Sequence, residues 1–343
     1  MTDPLITAVI PTYNYGRFVA NAVESALAQT YAPVEVIVVD DGSTDDTRQR
    51  LTPYLDRIRC IHQENGGRSA ARNTGIRAAA GEWIALLDAD DAWHPRKLEM
   101  QMRCLREQPA EVGLLATESF SDQRTSWPAV DDARAEVVRY ELADVVGVCR
   151  FGPSSALIRK SCLEAVGLFD ARLRSVEDRD MWIRLAGCCS LAKLRLPLLF
   201  YRLHSSSLSN QGAAMERYEL QALAKAFAEI PALRGRWLLK RQTYSQAAFT
   251  SAQVFRGNGQ PAAALQRMLR SFLYWPLPLR AQAEGRSWIR LRVVLNLLLR
   301  MVGLRAPQTN LAALAVATPP PSPLPQAAGG GVNSRPMQLE YHL

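Results

Sequence analysis

The run Trp83-Ile84-Ala85-Leu86-Leu87, followed at once by Asp88-Ala89-Asp90-Asp91, constrains this chain more than any other stretch. An uninterrupted short apolar run reads as a strand covered on both faces, as in the sheet of an α/β protein. The run stops at three carboxylates within four residues. Ligands of open α/β sheets bind in the crevice beyond the carboxyl ends of strands, which is where this cluster falls. Carboxylates so close repel one another. A hard divalent cation with oxygen ligands relieves that repulsion and commonly completes its shell with substrate phosphates. An acidic turn after a strand is the plainer reading, and the neighbouring segments decide between the two.

Those segments alternate. Leu5 to Ile10 reads as a first strand, and Arg17 to Gln29 carries Phe18, Val19, Ala22, Val23, Ala26 and Leu27 at helical spacing. Val34 to Val39 is a second strand. It ends in Asp40-Asp41-Gly42-Ser43-Thr44-Asp45-Asp46, where Ser43 or Thr44 is expected to cap a helix running to Leu55. Ile58 to His62 is a short strand, and Gly66-Gly67 turns into a helix over 69–80 that Gly81 ends. The strand of residues 82–87 follows. Strand and helix in this order predict an α/β fold, a mainly parallel doubly wound sheet flanked by helices. Further on, Pro95 starts a helix through Leu105, and residues 112–117, 154–159 and 194–203 are strand-like. Residues 119–134 are polar and irregular. Helices are expected over 161–166, closed by Gly167, and over 181–186, which Val176-Glu177-Asp178-Arg179-Asp180 opens.

From Met215 the chain turns helical, with segments 216–228, 236–254 and 260–273, the last two forming a hairpin about Gly257-Asn258-Gly259. Residues 286–304 are apolar apart from four arginines and Asn296. Arg286, Arg290 and Arg300 share a sector roughly 80° wide, leaving a broad apolar surface for docking on the protein or lying in a bilayer interface. From Thr318 the composition is low-complexity and reads as disordered. The expected division is a sheet domain over 1–212, a helical region over 213–305 and a tail over 306–343.

Composition narrows the rest. A net charge of +8 favours an anionic partner without choosing among nucleotide phosphates, acidic lipid and nucleic acid. Six cysteines without CxxC spacing read as reduced thiols of a cytoplasmic protein. No signal peptide is read at Met1-Thr2-Asp3-Pro4, and no apolar stretch of about 18 residues predicts a transmembrane helix.

Four segments then line up beside the sheet: Pro11-Thr12-Tyr13-Asn14, Asp40 to Asp45, Ala71-Arg72-Asn73-Thr74-Gly75, and Asp88 to Asp91. A short carboxylate can accept from the N–H edge of a pyrimidine, an arginine can offset phosphate charge, and the acidic cluster can hold a metal. Together they describe a nucleoside diphosphate site. The ordered series VIPTYN, VVDDGSTD, NGGRSAARNTGI, LLDADDAWHPRKLE and EDRDMWIRL resembles the family 2 glycosyltransferases of the GT-A fold, from about Leu5 to about Ser209.

The resemblance implies transfer of a sugar from a nucleoside-diphosphate sugar, a UDP-sugar above all, to a hydroxyl of a glycan or lipid-linked acceptor in surface polysaccharide synthesis. Pro11, Thr12 and Tyr13 would line the nucleotide pocket, Asp41 with Asp40 would read the base, and Arg72 would contact base or diphosphate. Asp88 and Asp90 form the DxD element, with Asp90 the direct ligand of Mg²⁺ or Mn²⁺, and His204 matches a histidine near the metal. Asp178 matches the general base, with Glu177 and Asp180 next in line. Nucleic acid is not an expected partner; residues 286–304 either meet the cytoplasmic membrane face or pack on the preceding helices.

One departure is Arg179, where relatives carry an aromatic residue, so acceptor identity does not carry over. The competing classes are a nucleotidyltransferase, which would release pyrophosphate, and a non-catalytic sugar-nucleotide binder, which would lack the metal or base carboxylate. A dinucleotide-binding dehydrogenase needs GxGxxG where this chain has PTYNYG.

Overall fold

A computed structural model describes residues 3–121, 127–132, 135–148, 151–173, 175–203, 212–278 and 289–301. Its first half is the expected alternation: β1 (Ile6–Thr12), α1 (Gly16–Leu27), β2 (Val34–Asp40), α2 (Thr47–Leu51), β3 (Arg59–His62), α3 (Arg68–Ala78) and β4 (Trp83–Leu86). These strands pair in parallel in the order β3-β2-β1-β4, with Thr12 beside Asp40 and Val9 beside Leu86. Side chains alternate across the sheet, so β1 sends Ile6, Ala8 and Ile10 to the α1 side and Val9 to the α3 side. Because β1 has β2 on one flank and β4 on the other, the strand order reverses at β1. A crevice opens beyond the carboxyl ends at such a point.

The second half contains β5 (Ala92–Trp93), α4 (Lys97–Arg106), β6 (Val112–Phe120), β7 (Val137–Tyr140), α5 (Leu142–Gly147), β8 (Leu157–Arg159), α6 (Lys160–Val166), α7 (Glu177–Ala186) and β9 (Ser190–Phe200). Here the sheet is mixed. β8 lies antiparallel between β4 and β6, β6 runs parallel to β9, and β5 and β7 are antiparallel to β9. Antiparallel neighbours need no crossover helix, and among the described residues the stretch between β6 and β8 has α5 as its one α-helix, beside β7. Neither β7 nor α5 was expected from the sequence. The signal for α5 was present as its capping box, Glu141 with Asp144.

Two expected helix ends are corrected. Neither Ser43 nor Thr44 caps α2, whose N-cap position is Asp46; the neighbouring Asp45 ties the loop, its Oδ1 accepting from Thr47 N (3.0 Å) and its Oδ2 from Gly16 N (3.0 Å) at the start of α1. Helix α3 stops at Ala78, before Gly81. Gly81 instead lies against β1, donating its N–H to Thr7 Oγ1 at 2.9 Å.

The C-terminal helices are α8 (Gly212–Glu229), α9 (Trp237–Gly257), α10 (Pro261–Tyr274) and α11 (Ile289–Met301). Leu223, Ala226 and Phe227 of α8 and Ala247 of α9 pack in one core with Met181 and Trp182 of α7. Helices α9 and α10 form the expected hairpin, and Val293 and Leu297 dock α11 against Phe249, Phe255 and Met268. Of the three arginines expected to share a sector, Arg290 is turned inward rather than presented at the surface. Arg290 is 2% exposed and donates to Ser245 Oγ (3.1 Å), Ser271 Oγ (3.2 Å) and the Trp275 carbonyl (2.7 Å). A guanidinium has five donors, and the inter-helix hydroxyls and carbonyls give several of them partners that lipid could not. Arg286 and the tail from 302 lie outside the described residues. Among the described residues no helix is long and apolar enough to cross a membrane.

A methyl group at position 81 would sit 2.6 Å from the Thr7 backbone nitrogen and 2.8 Å from the Leu5 carbonyl oxygen, neither of which can swing away. Gly81→Ala should therefore lose about 1–3 kcal/mol by overpacking. Gly257→Ala, where nothing lies within 4 Å, should be neutral or better. Urea-unfolding midpoints at unchanged slope check both; equal midpoints for the two variants would refute the close approach.

Candidate active site

Strand β4 is fully buried, and the turn after it is pinned from three sides. Asp88 N donates to Ser154 Oγ (3.0 Å), Ser154 Oγ donates to Asp91 Oδ2 (2.6 Å), and Arg202 N donates to Asp91 Oδ1 (3.1 Å). Arg202 Nε also donates to the Asp90 carbonyl at 2.9 Å. The third carboxylate of the cluster is thus turned inward, at 2% exposure. Burial, reinforced by the charges of Asp88 and Asp90, pushes the Asp91 carboxyl well above the usual range. Asp88 and Asp90 keep exposed surface.

Asp88 is met by an arginine. Gly67, at φ 86°, turns the chain into α3, whose first turn places Arg68 and Arg72 one above the other. Arg72 has no exposed surface. It donates from Nη2 to Asp88 Oδ1 (2.6 Å) and from Nη1 to Glu177 Oε1 (2.9 Å), and lies 5.4 Å from the Phe169 ring centroid. Burial disfavours its charge, but Asp88 and Glu177 outweigh that and hold its pKa above the ordinary value. Burial likewise pushes Asp88 up, and the Arg72 and Arg68 charges more than reverse it. Arg72 is therefore a buried bridge rather than a solvated helix residue.

The bridge ends on α7. Glu177 also receives Arg68 Nε at 3.3 Å, and its Oε2 is buried without a partner. Asp178, next in the helix and partly exposed, accepts from Arg179 N at 2.7 Å. Burial and the neighbouring Glu177 charge raise the Asp178 carboxyl to about 6. Asp178 does not cap α7, whose N-cap position is Val176. Asp180 is tied to Arg184 (2.8 Å) and Lys225 (3.1 Å). Arg179 turns inward to Glu219 and the Val146 carbonyl.

At the other end of the crevice, Pro11 and Thr12 finish β1, and Tyr13 is 44% exposed. Thr12 Oγ1 is buried without a partner. Asp40 has no exposed side-chain surface and is bonded by Ser43 N (2.9 Å), Arg48 Nε (3.0 Å) and His62 Nδ1 (3.1 Å). Burial raises its carboxyl and these bonds more than offset it, leaving it lowered. The position built for Asp40 is that of a loop staple. Asp41 takes Gly66 N (2.9 Å), Gln63 Nε2 (2.6 Å) and Gly67 N (2.8 Å), fixing the turn into α3.

The structure brings Arg72, Asp88 and the acidic start of α7 together; His204 lies outside the described residues. Sequence reasoning missed Arg68 and the structural use of Glu177, Ser154 and Arg202. It also missed Tyr15 and Tyr201, whose phenols are raised by burial and by the acidic cluster. Among the described residues no three His, Cys, Asp or Glu side chains converge on a common metal position. Two hard carboxylates, Asp88 and Asp90, nevertheless fit an ion of the Mg²⁺ type, which is usually held by one or two carboxylates with substrate phosphates filling the rest.

The family model described as Glycosyl transferase family 2 matches residues 7–167. An uncharacterized glycosyltransferase of Rickettsia prowazekii is 30% identical over 227 residues, 63% of this chain and 70% of its own length. Residues 1–349 of TarS from S. aureus are 17% identical with a TM-score of 0.59, covering 84% of this chain and 85% of that one. The mannosyltransferase PcManGT of Pyrobaculum calidifontis, solved with GDP-Man and Mn²⁺, is 20% identical with a TM-score of 0.52, covering 87% and 88%. At such identities the solved structures establish the GT-A fold alone. With the family model and the Rickettsia relative, this chain belongs to glycosyl transferase family 2 and is a glycosyltransferase.

Proposed function

We propose that this glycosyltransferase moves a sugar from a nucleoside-diphosphate sugar, a UDP-sugar first, onto an acceptor hydroxyl with inversion at the anomeric carbon. The observation that carries the reading is the arrangement around Arg72, which joins Asp88 after β4 to Glu177 at the acidic start of α7 at one crevice. TarS has also been solved with UDP-GlcNAc, and PcManGT with GDP-Man, which supports a nucleotide-sugar donor here. Pro11, Thr12 and Tyr13 would line the nucleotide pocket, with Asp41 reaching the base through the loop it organises. Arg68, partly exposed at the start of α3, would join Arg72 in offsetting diphosphate charge.

Asp88 and Asp90 would hold Mg²⁺ or Mn²⁺, with His204 as a further ligand, and the bound ion would offset charge on the departing diphosphate. Asp178 would accept the proton of the acceptor hydroxyl as its oxygen bonds to the anomeric carbon and the bond to the diphosphate breaks. The nucleoside diphosphate leaves with both electrons of that bond. A carboxyl raised to about 6 suits a base that must be ionised at neutral pH yet still take a proton. Glu177 and Asp180 are already committed to Arg72 and to Arg184 with Lys225, which favours Asp178 over both. The acceptor class we propose is a glycan or lipid-linked saccharide of a surface polymer.

Arg290 is buried, so membrane contact would rest on the exposed leucines of α11. Leu291, Leu295 and Leu298 are 48%, 59% and 45% exposed on the side opposite the docked residues, which supports a peripheral, interfacial seat. Replacing these three leucines with serine should release the protein from anionic vesicles in a flotation assay while leaving UDP binding intact. A wild type that never floats with the vesicles would remove the membrane contact.

A panel of nucleotide sugars with Mg²⁺ or Mn²⁺, read by nucleoside diphosphate release, tests the class; pyrophosphate release would mean a nucleotidyltransferase. Asp90→Ala should lower turnover by about 10²-fold or more, and chelation by EDTA should do the same. Turnover indifferent to both would end the metal assignment. Asp178→Asn should bind donor as wild type does and transfer about 10²–10⁴-fold more slowly. With Asp178 active as the anion, the wild-type rate should fall as pH drops through about 6. A rate flat across that range would place the base elsewhere.

A further inference from the structure

We propose that helix α8 is a positioning element for the Asp178 carboxylate, acting through Glu219 on Arg179 and through Lys225 on Asp180. The inference rests on Asp178 as the base and extends it into the helical C-terminal region.

The start of α7 is short of local support. Its N-cap position, Val176, has no side chain able to bond the free N–H groups, and among the described residues Asp178 bonds Arg179 N alone. Where the Asp178 carboxylate stands is therefore set by the backbone of residues 176–180, and so by whatever holds the side chains on either side. On one side Glu177 is held by Arg72 and Arg68, and on the other Arg179 and Asp180 are held by α8. Arg179 is 8% exposed and Glu219 7%; they form a buried ion pair, while Arg179 Nη2 reaches the Val146 carbonyl of α5 at 3.0 Å. One position further along, Asp180 takes Lys225 Nζ at 3.1 Å. The same Nζ bonds Asp170 Oδ2 at 2.9 Å, tying in the loop that leads to α7. Between the two ion pairs, Ala222 packs against Leu173 and Val176.

Glu219, Ala222 and Lys225 follow one another at three-residue intervals, so one face of α8 meets the chain on both sides of Asp178. A buried ion pair is a poor means of adding stability, since apolar residues of similar volume often do as well or better. It does fix geometry, because a buried charge tolerates few arrangements. The arginine at 179 is thus accounted for by its partner on α8. Where an aromatic residue would pack, this chain has a charge that needs Glu219.

The test reads UDP release from UDP-GlcNAc with water as acceptor, and UDP affinity by calorimetry, in the full chain. Glu219→Gln and Lys225→Met should each lower kcat, by up to about 10²-fold, the loss expected when a reacting group is misplaced by about 1 Å. UDP affinity should stay within about twofold of wild type, and Lys225→Arg should restore the rate. The paired replacement Arg179→Met with Glu219→Leu removes both charges at similar volume and keeps the test open if a single variant fails to fold; it too should lose kcat. The deciding readout is a cycle. Asp178→Asn should cost much less in the Glu219→Gln background than in wild type, because both act through one carboxylate. Losses that multiply, or an unchanged kcat in the paired and Lys225 variants, would overturn the positioning role while leaving the base assignment standing. A fully active Asp178→Asn would overturn the base assignment itself.

Discussion

The buried cation Arg72 links the two halves of the sheet domain. A guanidinium with no exposed surface must be compensated, and its two partners come from places 105 and 16 residues away: Glu177 on α7 and Asp88 after β4. Removing both carboxylates would strand the charge in the core, and removing either would cut one of the two ties it makes. The parallel half of the sheet and the mixed half are thereby held in one relative position, and the crevice between them is where the remaining carboxylates collect.

Around that bridge, acidic residues of the same chemistry are given different tasks by their surroundings. Asp40 and Asp45 are wrapped in donors, which outweigh burial and keep them ionised as staples of the β2–α2 loop. Asp91 is buried against a serine hydroxyl and a backbone N–H with two other carboxylates nearby, and is pushed the opposite way. Asp178 stands between, raised but open to solvent on part of its surface. Environments that drive like groups apart in this way separate a site's acids and bases from its scaffold.

Much of this was legible in the sequence, because the parallel half announces itself locally. Apolar runs of strand length, helical spacing between them and acidic or glycine turns at their ends are short-range signals, and β1 through β4 fall within a residue or two of them. Long-range pairing was not legible. Nothing near Arg72 indicates that Glu177 will meet it, nor near Arg179 that Glu219 will. Asp91 looked equivalent to Asp88 and Asp90 until Ser154 and Arg202 turned it inward. Arg290 looked like part of a polar face because helical projection ignores what neighbouring helices offer; the Ser245 and Ser271 hydroxyls and the carbonyls after α10 drew it in. The four residues of β7 beside a polar stretch were too few to show a period.

In the proposed transfer the acceptor oxygen displaces the diphosphate directly, with Asp178 as the base and no protein nucleophile in between. Proton NMR of the purified transfer product, comparing the coupling at its new anomeric centre with that of the donor sugar, tests this most directly. A single displacement predicts an anomeric configuration opposite to the donor's. A product that keeps the donor's configuration would require a covalent or front-face route and would contradict the account.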